Sequence, residues 1–225
     1  MKKIVFDNVS KIYGDDESRA VVALDRASLE IEQGEFIGII GPSGSGKSTF
    51  LSIAGALIKP SKGKVLINGK DISTLPEKEL ANVRLNEIGF ILQTSNLIPY
   101  LSAVDQLILV KDMKGKISQE DREKAIGLLK DFGLEDRLNH YPNALSGGER
   151  QRIAVARAFM NDPEIILADE PTASLDTKRG YEVMDLLAKQ AKQHNKAVVL
   201  VTHDERMLSH CQRVIVMSDG KLIER

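Results

Sequence analysis

Short apolar runs bounded by turn residues recur along the chain, at KIVFDNV, FIGII, KVLI, IGFIL, EIILAD, AVVLV and RVIVM. Each has the length of a strand, and between several of them lie longer segments whose apolar residues recur at helical spacing, the alternation of an α/β fold. Asn68-Gly69 and Asp219-Gly220 sit between strand-like runs and predict tight hairpins, so the sheet is mixed or carries an added antiparallel layer. From about Pro99 to Asn143 the strands stop. SAVDQLILVKDM and SQEDREKAIGLLKDFG predict two capped helices, the second opened by Ser118 and closed near Gly133. The expected organisation is one domain over 1–225, with 1–98 and 144–225 forming the core and 99–143 an inserted helical subdomain.

Composition narrows the partners. The 225 residues can bury a sizeable core, and with 42% hydrophobic residues but few aromatics that core is aliphatic, as helices packed on a parallel sheet require. Lys plus Arg (31) nearly balances Asp plus Glu (32), and no basic patch stands out, so no nucleic-acid partner is expected. Cys211 is the single cysteine, which excludes an internal disulfide and reads as a packing residue in a reducing compartment. No apolar run approaches the ~18 residues of a membrane span. The expected location is cytoplasmic, with any membrane contact made through a partner.

The chemistry begins at GEFIGIIGPSGSGKSTFLSIAGAL: an apolar strand, a glycine turn, a helix. Gly41, Gly46, Lys47 and Ser48 fit the phosphate-binding loop pattern. Glycines let backbone N–H groups wrap a phosphate chain at a helix N-terminus; Lys47 reaches the β and γ phosphates and Ser48 offers a hydroxyl to Mg²⁺. Pro42, Ser43, Gly44, Ser45 and Thr49 complete the expected cradle for ATP.

EIILADEP predicts a buried strand over Ile165 to Ala168 ending in two adjacent carboxylates, at the strand end where open parallel sheets bind ligands. Leaving the strand re-aims successive side chains, so the two acids can differ in role. Asp169 is the candidate for the Mg²⁺ shell and Glu170 for the attacking water. His203, at the end of AVVLVTHD, can hydrogen-bond a γ-phosphate oxygen. Gln93, after IGFIL, can ligate Mg²⁺ or orient water and can move the helical insert. Tyr13 can stack on adenine or simply cover the core. His140, His194 and His210 lack such context.

A second anion cradle follows. In LSGGERQ, residues 145–151, a serine and two glycines open a long amphipathic run, a helix start with exposed amides. One monomer has little use for two cradles. LSGGERQ, together with the loop at 41–48, Gln93, ILADEP, ASLD at 173–176 and His203, resembles the motif set of the ATP-binding cassette (ABC) ATPases along essentially the whole chain. The resemblance implies a P-loop NTPase core with a mixed sheet, an antiparallel β layer and an inserted helical subdomain. It also implies a head-to-tail dimer, in which Ser146, Gly147, Gly148 and Glu149 of one subunit meet ATP held by the other and Asp176 crosses the interface.

The local wording is similar to a narrower group, the ATPases serving permeases of the macrolide-exporter and lipoprotein-releasing type. NLIPYLSAVDQLILV, GLEDRLNHYPNALSGGERQR and AFMNDPEIILADEPTASLD are most similar to ATPases of bacterial haem-exporting transporters. Leu92 stands where many relatives have phenylalanine, and Ser174-Leu175-Asp176 departs from the commoner GALD or GNLD. The implied function is ATP hydrolysis that drives a separate membrane permease, contacted near Gln93 and the helical subdomain, with the chain peripheral on the inner face of the membrane. Two alternatives are a mechanotransmission ATPase that moves a membrane protein without a substrate and, less favoured, a soluble ATPase acting on nucleic acid or ribosomes.

Overall fold

A computed structural model describes residues 1–14 and 20–225. The chain runs β1 (Lys2–Tyr13), β2 (Val21–Glu32), β3 (Phe36–Ile40), α1 (Lys47–Ala54), β4 (Lys62–Ile67), β5 (Lys70–Asp71), α2 (Glu77–Glu87) and β6 (Ile88–Ile91). It continues through α3 (Ala103–Asp112), α4 (Gln119–Asp131), α5 (Gly147–Phe159), β7 (Ile165–Asp169), α6 (Thr177–Gln193), β8 (Ala197–Val201), β9 (Arg213–Ser218) and β10 (Lys221–Glu224).

Two sheets form. One is antiparallel, in the order β2-β1-β4-β5; the other runs β10-β9-β3-β8-β7-β6, parallel throughout except for β10. Both expected hairpins are present: Asn68 and Gly69, and Asp219 and Gly220, take positive φ in pairs between β4 and β5 and between β9 and β10.

Period-two alternation divides the buried strands between two cores. Ile165 and Leu167 of β7 face a cluster under the antiparallel sheet and α1, where Phe6 stacks on Phe50 at 4.4 Å between ring centroids. Ile166 and Ala168 face a second cluster built with α3, α4, α5 and α6. Both faces of the parallel strands are therefore covered, which explains why FIGII and AVVLV are apolar at every position.

The helical block forms as its caps predict. Ser102 caps α3 through the Asp105 N–H, and Ser118 with Asp121 makes a capping box on α4. It shares its hydrophobic cluster with α5 and the sheet rather than closing on itself. Strand β2 carries no continuous apolar run past Leu24. Leu24, Ala27, Leu29 and Ile31 are its inward residues, but Arg26 adopts a φ of 47° at an irregularity in the β1–β2 register and shifts the alternation by one. Among the described residues, no helix is long and apolar enough to cross a membrane.

Candidate functional site

The strand order β3-β8-β7-β6 places four loops side by side at one edge of the sheet. The loop after β3 carries residues 41–46, that after β8 His203, that after β7 Glu170, and that after β6 Gln93. One cleft of about 530 Å³ is lined by Gly41, Ser43, Gly44, Gly46, Lys47, Ser48, Thr49, Gln93, Asp169, Glu170 and His203. Residues far apart in sequence thus meet at the carboxyl ends of parallel strands, where such sheets bind ligands.

Local chemistry shapes each wall. Gly46 caps α1 at φ 108°, and a Cβ there would lie 2.4 Å from the Ala23 carbonyl oxygen, so no other residue fits the turn. No side chain caps α1, leaving its first amides to a ligand. The Lys47 ammonium donates to the carbonyls of Gly41 and Pro42, each at 2.8 Å, which holds its charge at the cradle mouth. Ser45 is buried, with its Oγ unpartnered among the described residues and its carbonyl accepting from Gly220 N–H at 3.0 Å. Neither Pro42 nor Ser45 lines the cleft.

Strand β7 runs one residue further than predicted, through Asp169, which pairs in register with Val201 of β8. Burial first, and then the adjacent Glu170 charge, raises the Asp169 carboxyl above its ordinary range, while Lys47 opposes them. Glu170 leaves the strand at a φ of 47°, a left-handed conformation costing roughly 1–2 kcal/mol for a side chain of this kind. Its N–H donates to the Val201 carbonyl at 2.8 Å, and its largely buried carboxylate pairs with Nδ1 of His203. That turn separates the two acids: Asp169 stays in the sheet and Glu170 reaches across to the next strand's loop.

Ser48, Gln93 and Asp169 contribute a hydroxyl, an amide oxygen and a carboxylate to the same cleft. These are hard oxygen donors, few enough to leave positions for phosphate and water, which fits Mg²⁺.

Tyr13 lies outside the cleft lining, at the end of β1 and in register with Val21. The residue is 44% exposed, and Lys11 Nζ sits 5.2 Å from its ring centroid. Val21, Val22 and Ala23 line the cleft beside it, an apolar shelf that the sequence reading missed. In the sequence its one mark is the adjacent pair Val21-Val22, and only the fold exposes them.

The second cradle is not part of this cleft. Ser146 caps α5: its Oγ accepts from Glu149 N–H at 3.3 Å, and the Glu149 carboxylate accepts from Ser146 N–H at 2.8 Å and from Arg137 Nε at 2.7 Å. With both oxygens engaged, the Glu149 carboxyl is held down at about 2, by the Ser146 N–H above all. Gly147 and Gly148 add no side chain of their own, but Gly148 is buried beside the Arg179 side chain and Gly147 lies near Leu175. Asp176 caps α6 through Arg179 N–H at 3.0 Å, so both Glu149 and Asp176 have structural work inside the chain. Of the remaining candidates, His210 Nε2 pairs with Asp185 at 3.0 Å, and burial pushes the Cys211 thiol up to about 12, in keeping with packing.

The family profile of ABC transporters matches residues 24–173, and the chain belongs to this family as an ATP-binding subunit and an ATPase. The chain is 45% identical over 221 residues to HrtA of Staphylococcus aureus (strain bovine RF122 / ET3-1), covering 98% of this chain and 99% of that one; HrtA is described provisionally as a hemin import ATP-binding protein. A dimeric structure of the ATP-binding cassette MJ0796 in a post-hydrolysis state, bound to ADP and Pi, matches at a TM-score of 0.87 with 44% identity, over 99% of this chain and 97% of that one. CbiO1 from Clostridium perfringens, part of the ABC transporter complex cbiONQ, matches at a TM-score of 0.88 with 27% identity, over 99% and 87% of the two chains.

Proposed function

We propose that two copies of this chain close head to tail on two ATP molecules and that hydrolysis lets them part, driving a membrane permease. One observation carries the reading: Lys47, Gln93, Asp169, Glu170 and His203 meet in a single cleft, while the capped start of α5 at 146–148 stands outside it. The similarity to a dimeric cassette bound to ADP and Pi supports it.

The residues divide the work. The amides at the start of α1 and the Lys47 ammonium hold phosphate charge. Glu170 takes the proton of, or orients, the attacking water, a role worth about 10²- to 10⁴-fold in rate. His203 holds that carboxylate through Nδ1 and reaches a γ-phosphate oxygen. Ser48, Gln93 and Asp169 would hold Mg²⁺, which when bound would neutralise phosphate charge. Ser146 Oγ accepts the Glu149 N–H, and on closure its hydroxyl proton turns from the Glu149 carboxylate to donate to the other copy's γ-phosphate. Glu149 and Arg137 hold that tip rigid, and Asp176 sets the turn that faces the partner. Moving a permease from 1:99 to 99:1 between two conformations takes about 5.5 kcal/mol of preference, which the contacts of a closed dimer supply.

The permease binds a groove lined by Arg84, Phe90, Leu92, Val110 and Met113, between α2, β6 and the helical block. Leu92 and Met113 are exposed there, an apolar surface next to Gln93 that suits a short helix of a membrane partner. The chain then lies on the cytoplasmic face of the membrane. We read the movement as outward, from the wording shared with exporter ATPases, and haem as the substrate; HrtA is named for hemin but for the inward direction. Hemin transport by the reconstituted complex in sealed vesicles of both orientations decides between them, and ATP-driven permease rearrangement with no substrate movement would favour the mechanotransmission reading. For the hydrolytic reading, Glu170→Gln keeps ATP binding and loses about 10²- to 10⁴-fold in turnover; turnover at the parent rate would contradict it.

A further inference from the structure

Two polar side chains of α5 turn inward, onto the chain that carries Gln93. Gln151, buried at 1% exposure, donates from Nε2 to the Leu92 carbonyl at 3.1 Å. Arg157 donates from Nη2 to the Ser95 carbonyl at 2.8 Å and from Nη1 to the Asn96 carbonyl at 3.2 Å, where Asn96 takes a φ of 44°. Among the described residues no carboxylate pairs with Arg157, and burial pulls its guanidinium below the ordinary range. A desolvated cation that spends its donors on two carbonyls of one turn fixes that turn firmly, since a planar fork gives direction as well as strength.

The backbone is therefore gripped on both sides of Gln93, while the Gln93 side chain itself lines the nucleotide cleft. Both gripping residues belong to the helix that begins at the 146–148 tip, and they lie about 9 Å apart along it. Three hydrogen bonds thus tie the chain on both sides of Gln93 to the helix that carries that tip.

We infer that Gln151 and Arg157 are positioning residues which make α5 a rigid lever between Gln93, at the chain's own nucleotide, and Ser146, at the nucleotide of the second copy. Nucleotide state in one cleft then sets the aim of the tip that closes the other. This rests on the composite-site reading above.

The test uses the full-length Glu170→Gln chain as parent. Light scattering gives the ATP concentration at half-dimerisation, and calorimetry gives MgADP affinity, which reports the chain's own cradle. Gln151→Leu and Arg157→Met raise the ATP concentration at least ten-fold and leave MgADP affinity within two-fold; Arg157→Lys, with a single donor head for two carbonyls, falls between. Gln93→Ala raises the ATP concentration as well, and adding Arg157→Met to it brings no further rise, because both act through one link. If Arg157→Met fails to fold, Gln151→Leu and Arg157→Lys carry the comparison. Unchanged half-dimerisation, or penalties for Gln93→Ala and Arg157→Met that multiply, overturns the lever while leaving the composite site standing, provided Ser146→Ala still weakens the dimer. A parent that stays monomeric in saturating ATP defeats the composite site, and the lever with it.

Discussion

Glu170 and His203 are paired across the carboxyl ends of two adjacent parallel strands, carboxylate to Nδ1. The Glu170 N–H adds a second tie, to the Val201 carbonyl at 2.8 Å. The pair fixes which way the carboxylate points, and among the described residues no lysine or arginine pairs with it. His203→Ala should therefore lower kcat by about 10²-fold or more while changing KM for ATP by only a few-fold, checked by steady-state phosphate release. A large KM effect with normal kcat would make His203 a binding residue instead.

Lys47 bridges the carbonyls of Gly41 and Pro42, and its charge has no acid within ion-pair distance among the described residues. Replacing it with alanine removes charge-assisted hydrogen bonds to phosphate worth about 1.5–3 kcal/mol, roughly 10- to 100-fold in ATP affinity. Calorimetry on the monomer measures this, with AMP, which lacks the distal phosphates, as the insensitive control.

The tip of α5 gives a pH prediction. The Glu149 carboxyl sits at about 2 in the fold against an ordinary 4.5, held there first by the Ser146 N–H and then by the Ser146 hydroxyl and Arg137. A depressed folded value means stabilisation that is fully present above the ordinary value and fades as pH falls from about 4.5 toward 2. Glu149→Gln should flatten the fall of the urea midpoint across that window, and Ser146→Ala should cost about 1 kcal/mol at neutral pH by loss of the cap.

Tyr13 stands one strand pair from the exposed shelf of Val21 and Val22. If adenine lies there, Tyr13→Ala weakens nucleotide binding by about 1 kcal/mol, near five-fold. Unchanged affinity by calorimetry would leave Tyr13 as a cover over the strand end.

Much of this could be read from the chain because the decisive features are local. Strand, turn and glycine positions around Lys47 specify a cradle by themselves, and the aliphatic run before Asp169 specifies a strand buried on both faces. What escaped depends on partners distant in sequence. The β2 alternation is broken at Arg26 by a bulge that forms only against β1. Arg157 and Gln151 read as the polar face of an amphipathic helix, and only the fold brings residues 92–96 onto them. The groove beside Leu92 draws on α2, β6, α3 and α5, so no single segment announces it. Asp176 reads as a group reaching outward, yet in the fold it first serves as a helix cap.

The most direct test of the account is the mass of the Glu170→Gln chain in solution, by light scattering, with MgATP and with MgADP. The account predicts twice the 24.8 kDa monomer in MgATP and a monomer in MgADP, with Ser146→Ala weakening the dimer. A chain that binds MgATP tightly and remains at 24.8 kDa would contradict it.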